Sequence, residues 1–278
     1  MKKYLIVLLM VVLPTLALAQ KAGGHITRPT KPAPTNIKPP KKQPEPRRAM
    51  QNKTFTVNGV SFTMVAVEGG TFTMGATSEQ GSDAFSNEKP THSVTLSSYY
   101  IGQTEVTQKL WQAVMGSNPS NFKGDLRPVE KVSWNDCQEF VDRLNSLTGE
   151  RFKLPTEAQW EYAARGGRKS SGYKYAGSND LGSVAWYSGN SGSQTHNVAT
   201  KQPNELGIYD MSGNVEEWCR DRNGKYSSDS QQNPSGSNSG ILRVYRGGNW
   251  HVPKCRVSER SGSAPAERFG DRGLRLAL

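Results

Sequence analysis

Few groups in this chain could carry covalent or redox chemistry. It has three cysteines, Cys137, Cys219 and Cys255, and four histidines. Cys255 and His251 share the stretch Arg246-Gly247-Gly248-Asn249-Trp250-His251-Val252-Pro253-Lys254-Cys255-Arg256, which Arg260, Arg268 and Arg272 follow. A thiolate is a nucleophile and a soft metal ligand, and an imidazole is a borderline one. Arginines in the same stretch suit an anionic partner, because the planar guanidinium grips a carboxylate through two parallel hydrogen bonds. The metalloprotease pattern HExxH does not occur, and no glycine-rich phosphate loop follows a strand. Asp136, Glu139, Glu157 and Glu161 can be paired on paper as hydrolase acids. Each falls on a predicted helix where capping or an exposed face accounts for it, so no acid–base dyad is expected.

The elements that would position these groups are short. Residues Phe55 to Thr73 alternate apolar and polar side chains around Asn58-Gly59, which predicts a hairpin. His92 to Ile101 reads as one strand. Three helices follow. Thr104 or Thr107 caps the first, which ends at Gly116; Ser133 and Asp136 form a capping box for the second, which ends at Gly149; Thr156 and Gln159 cap the third, which Gly166-Gly167 ends. Cys137 lies early in the second helix and is expected to act as a small buried apolar residue. After Gly167 short apolar pieces alternate with Ser/Gly/Asn stretches, and residues 222–240 read as a mobile surface loop.

The N-terminus has a different character. Lys2 and Lys3, an apolar run from Tyr4 to Leu13, and Ala17-Leu18-Ala19 form a secretory signal over residues 1–19, with no transmembrane span expected after its removal. Residues 20–50 hold seven prolines and eight Lys/Arg, cannot bury a core, and are expected to be an extended linker. Of the formal charge of +11, the signal holds two and the linker seven, so residues 51–278 are close to neutral. No nucleic-acid partner is expected. Residues 51–278 suffice for one loop-rich domain.

Several segments in order resemble the sulfatase-modifying factor family, which includes the formylglycine-generating enzymes. The most specific are Leu154-Pro155-Thr156-Glu157-Ala158-Gln159-Trp160-Glu161-Tyr162-Ala163-Ala164-Arg165-Gly166-Gly167 and Gly207-Ile208-Tyr209-Asp210-Met211-Ser212-Gly213-Asn214-Val215-Glu216-Glu217-Trp218, with Arg246-Gly247-Gly248-Asn249-Trp250 and Gly273-Leu274-Arg275 near the end. The resemblance implies an α+β, C-type-lectin-like fold, loop-rich, with few helices and short antiparallel strands. In the enzymes of that family two nearby cysteines bind copper(I) and oxidise a peptide cysteine. Here Val252 stands where the first thiol belongs, Asn249 replaces an active-site serine, and Cys255 is the only thiol in the loop.

The resemblance therefore implies a divergent member. The leading expectation is a non-catalytic domain, secreted or periplasmic, that binds an envelope protein, a peptide or a glycan. Its ligand surface would comprise Trp250, His251, Arg256, Arg260 and Arg268, with Cys255, Asn249, Trp250 and His251 the remnant of a catalytic site. Alternatives are a copper oxidase using Cys255 and His251 on a peptide cysteine, and a variable receptor diversified over 251–271. Copper is not expected in the leading reading. Calcium is, on Asp210, Gly213, Val215 and Glu217, with a weaker second site at Asn190 and Ser191. A Cys219–Cys255 disulfide is expected in an oxidising compartment. The sequence leaves open the alternative that Arg256, Arg260, Arg268 and Arg272 are internal salt-bridge partners.

Overall fold

The described part of the computed structural model begins at residue 49 and runs to 278, so the expected signal and nearly all of the linker lie outside the described residues. In chain order, strands β1 (Lys53–Val57), β2 (Val60–Val67), β3 (Gly70–Met74), β4 (His92–Leu96) and β5 (Tyr99–Gly102) come first. Helices α1 (Gln108–Met115), α2 (Trp134–Thr148), α3 (Glu157–Ala164) and the single turn α4 (Leu181–Val184) follow. Strands β6 (Glu216–Arg222), β7 (Gln231–Gln232), β8 (Arg243–Arg246), β9 (Arg260–Ser263) and β10 (Arg272–Leu274) complete the chain.

Local signals set these elements. Asn58 and Gly59 both take positive φ, 47° and 78°, the type I′ geometry that matches strand twist and pairs Val57 with Val60. Thr107, Ser133 and Thr156 cap the three main helices, each hydroxyl accepting from the amide three residues on. The expected single strand over 92–101 is two strands. Ser97 and Ser98 break it: Ser98 Oγ accepts from the Gly69 amide and the Ser97 amide donates to Asn233, so β4 pairs with β3 while β5 pairs with β2. Most pairs are antiparallel as expected, but β10–β6 and β4–β7 are parallel. Their partners are far apart in sequence, and the long crossovers allow it.

Strand β6 separates two cores. Trp218 packs with Trp111, Phe140, Leu144 and Leu274, whereas the next residue, Cys219, packs with Val94, Trp160 and Val244 on the other face. Alternating side chains along a strand place consecutive residues on opposite sides. Each fully buried large side chain contributes about 1.5–3 kcal/mol relative to exposure. Trp111 and Phe140 stack at 4.9 Å with an interplanar angle of 3°, joining α1 to α2.

Residues 222–240 also differ from expectation. Gln231–Gln232 adds a parallel strand to β4, Arg222 bridges Gly236, and Tyr226 packs against the first core. The low apolar content of the segment hid a single anchoring aromatic. All three cysteines are free and buried, so the expected Cys219–Cys255 bond is not formed. Cys219 faces the first core from the middle of β6, while Cys255 packs beneath the Gly248 turn.

Candidate functional site

Four buried carboxylates, each paired with arginine, build the platform. Glu161 on α3 accepts from Arg246 at the end of β8 and from Arg165 at 2.9 Å. Glu157, one turn earlier, receives Arg260 through both carboxylate oxygens at 2.6 and 2.9 Å, Arg246 at 3.2 Å and the Tyr226 hydroxyl at 3.0 Å. Glu88 receives Arg256 through two bonds of 2.6 Å and also the Ser258 hydroxyl. Glu217 receives Arg275 and, at 2.7 Å, the indole N–H of Trp160. The capping boxes and the core-facing stripe of α3 leave Glu157 and Glu161 inside the protein, where a carboxylate needs a partner.

This placement corrects the expected ligand surface. Arg256 is fully buried and Arg260 nearly so, both internal partners and neither a free anion receptor. Arg268 is exposed, but both oxygens of Asp136 hold it at 2.6 Å, and that bond first of all drives the Asp136 carboxyl down to about 2. Trp250 donates its indole N–H to the Gly270 carbonyl at 3.1 Å and packs edge-on against Phe122. His251 is half-exposed, with Nε2 3.5 Å from Asp271.

A groove of about 280 Å³ opens beside the Arg246-Gly247-Gly248 turn, lined among others by Phe85, Glu216, Tyr245, Val252 and Glu259. Trp250 is not in its wall. Burial pushes the Glu216 carboxyl up to about 7 against the pull of Arg272, and the neighbouring Asp271 and Glu259 add to the rise. Burial likewise raises Glu259, whose Oε2 has no partner among the described residues. Asn249 donates from Nδ2 to Glu216 at 3.1 Å and accepts the His251 amide at 2.9 Å, so it pins the turn to the acids. The guanidinium of Arg272 lies 3.6 Å over the Tyr245 ring and 3.1 Å from Glu216, behind the groove. The groove thus presents Glu216 and Glu259 beside apolar walls and two arginines, Arg246 and Arg260, whose guanidinium groups are already engaged by Glu161 and Glu157. Sequence reading missed Glu216, although it lies inside the Gly207 to Trp218 motif, and Glu259, which follows the Arg246 to Trp250 motif.

Cys255 lies under this floor. Gly248 has φ +69°, and a Cβ there would come within 2.7 Å of the Cys255 sulfur. Burial raises the thiol well above its ordinary value, and Glu259 and Glu216 raise it further. The thiolate form is suppressed, and with it nucleophilicity and soft-metal affinity.

The Asp210–Glu217 turn gathers buried acid. Asp210, at φ 57°, accepts the Ala199 amide at 2.7 Å, and burial pushes it up to about 6. Glu105, which sequence reading did not single out, accepts the Val215 amide and the Asn214 side chain, and burial followed by Asp210 and Glu217 raises it well above the ordinary carboxylate range. Three buried carboxylates therefore share the guanidinium of Arg275. Glu217 supplies charge here, its oxygens being engaged by Arg275 and Trp160. Among the described residues no three His, Cys, Asp or Glu side chains converge on one point, so a cation at this turn would draw on backbone carbonyls. Hard oxygens with a surplus of negative charge fit calcium in kind. Asn190 and Ser191, the weaker expected site, pin their own loop, Asn190 to Tyr187 and Ala185 and Ser191 to the Trp250 carbonyl.

The family described as the sulfatase-modifying factor enzyme 1-like domain matches residues 49–278. The chain is 36% identical to chaperone protein LppX of Paenibacillus barcinonensis over 78% of this chain and 89% of LppX. It is 29% identical to the formylglycine-generating enzyme of Streptomyces coelicolor over 77% of this chain and 88% of that one. Among solved structures, Treponema denticola variable protein 1 superposes with a TM-score of 0.74 at 37% identity, covering 82% of this chain and 98% of its own. PvdO of Pseudomonas aeruginosa gives 0.68 at 25% identity, with 81% and 97% covered.

Proposed function

This chain belongs to the sulfatase-modifying factor family, and we propose that it is a non-catalytic member, exported to the cell envelope or beyond, whose acidic groove binds a polypeptide segment. One observation carries the reading: the single thiol of the loop is buried beneath Gly248, while Val252, Glu216 and Glu259 face the groove. Oxidation of a peptide cysteine on copper needs accessible thiolates, and this floor offers carboxylates and apolar surface. A chain with basic or amide-rich side chains complements such a floor, since N–H donors suit the carboxyl groups of Glu216 and Glu259 that line it. The likeness to a protein named a chaperone supports a polypeptide ligand. Export rests on the signal-like residues 1–19, and no described helix is long and apolar enough to cross a membrane.

Within this reading calcium is a structural ion at the Asp210–Glu217 turn. Asp210 and the Gly213 and Val215 carbonyls would hold it, and it would supply countercharge there for Glu105 and Asp210.

Incubation of the purified chain with copper(I), oxygen and a sulfatase-derived cysteine peptide is expected to leave the cysteine intact by mass spectrometry. Conversion to the aldehyde would sink the reading and restore the oxidase. A second reading, a variable receptor, draws on the likeness to variable protein 1. In 251–271 the exposed positions His251, Pro253 and 266–269 could tolerate variation, whereas Cys255 to Ser258 and Arg260 are buried. Copies of the gene from related strains would show variation clustered at those exposed positions under this reading alone.

A further inference from the structure

A second cavity lies away from the groove, beneath the 222–240 segment. It encloses about 150 Å³ between that segment, β4 and the start of α3. Its inner wall carries Asp221, which is 2% exposed and whose Oδ2 has no partner among the described residues. The nearby acid cannot share its partners. Glu157 is saturated by Arg260, Arg246 and the Tyr226 hydroxyl, and its charge repels that of Asp221. The Glu157 backbone amide and the charges of Arg220 and Arg260 favour the Asp221 carboxylate, but burial and the Glu157 charge outweigh them, and Oδ2 keeps no donor among the described residues.

Three cations also line the cavity, of which Arg260 is engaged by Glu157. Lys225 and Arg222 are exposed, and among the described residues Arg222 has one guanidinium hydrogen bond, to the Gly240 carbonyl at 2.9 Å. Two aromatic groups add a flat wall: His92 meets Tyr226 edge-on at 4.8 Å, with Nδ1 3.3 Å from the Pro90 carbonyl. The cover is built to close over Asp221. Gly236, at φ +87°, bridges Arg222, and a Cβ on it would come within 2.6 Å of the Asp221 Cβ.

We propose that this cavity binds a small zwitterion of the α-amino-acid class, its ammonium group on Asp221 and its carboxylate toward Lys225 and Arg222. The charge order decides the class. A simple amine would satisfy Asp221 but meet two cations at the mouth, and a simple anion would meet an unpaired acid inside. A zwitterion complements both. The volume suits a molecule of about six heavy atoms, since a cavity of this size holds one benzene. Glycine, alanine and serine lie in that range.

Titration calorimetry and thermal melts of the full chain, with glycine, L-alanine and L-serine against methylammonium and acetate, test this. At least one amino acid should give saturable heat and raise the melting temperature, and the two single-charge ions at equal concentration should not. Asp221→Asn should weaken binding at least tenfold, and Lys225→Ala, at an exposed position, several-fold. Glu216→Gln, in the other groove, should leave it unchanged. Absence of binding by every zwitterion to the folded wild type overturns the proposal, as does equal binding of methylammonium, or undiminished binding by Lys225→Ala together with a folded Asp221→Asn.

Discussion

Arg256→Ala separates a structural arginine from a ligand-binding one. Arg256 is wholly buried, makes two 2.6 Å bonds to Glu88, and sits beside the Ser258 hydroxyl, which itself donates to Glu88. Burial alone would raise the Glu88 carboxyl, yet the bonds from Arg256 and Ser258 outweigh it and the net displacement is downward. Removing the guanidinium leaves an unpaired buried carboxylate, a loss of about 3–5 kcal/mol. For a domain of this size 1 kcal/mol is about 2–4 °C, so the melting temperature should fall by about 6–20 °C. Arg268→Ala is the control: its pair with Asp136 is exposed, worth about 0–1 kcal/mol, a few degrees at most. Glu88→Gln/Arg256→Met should cost no more than Arg256→Ala alone, because neither charge is then left without its partner. Calorimetric melts read all three. An Arg256→Ala melt within 2 °C of wild type, or one matched by Arg268→Ala, would refute the assignment of Arg256 to the fold.

Three further outcomes follow from the same geometry. Asp210, Glu216 and Asp221 rise on folding to about 6, 7 and 7, so between the ordinary carboxylate range and those values the native state holds more protons than the unfolded one. Stability should therefore fall as pH rises from about 5 to 8, by a few kcal/mol, and Asp221→Asn should flatten the slope; a flat or rising wild-type profile would contradict it. Native protein should react slowly with Ellman's reagent and yield all three thiols in denaturant, where a Cys219–Cys255 bond would leave one. Calcium at millimolar concentration should raise the melting temperature by several degrees, and Asp210→Asn should abolish the rise; no shift in wild type would remove calcium from the turn.

The fold was legible because its signals are local or motif-borne. Asn58-Gly59, Ser133 with Asp136, and Thr156 with Gln159 specify a hairpin and two helix starts within a few residues, and the structure has them there. The split at Ser97-Ser98 was not legible, since it depends on Gly69 and on Asn233, 136 residues away. The arginines show the same limit more sharply. Guanidinium groups at 256, 260 and 268 look alike in sequence; their fates differ because Glu88 and Glu157 arrive from distant elements to meet the first two, while Asp136 meets the third at the surface. Beyond their place in or after family motifs Glu216 and Glu259 gave no signal, because an acid becomes unusual only when the surrounding fold buries it.

That contrast also shows why the architecture does not depend on what the loop carries. Arg246 is tied to Glu161 and Glu157, and Arg275 to Glu217, so these residues join α3, β6, β8 and the C-terminal segment whatever the loop carries. Residues 249–255 make few such ties: Asn249 reaches Glu216, Trp250 reaches Gly270, and Val252 contributes groove wall. Exchange at 252 costs the core nothing that these pairs supply. The same argument forbids free exchange at Gly248, where a left-handed φ and the Cys255 sulfur both exclude a side chain. Gly248→Ala should lose about 2–4 kcal/mol from backbone strain and overpacking together. Pairing it with Cys255→Ala should recover only part, because the Lys254 carbonyl stands at the same 2.7 Å; full recovery would show that the turn is shaped by the sulfur alone.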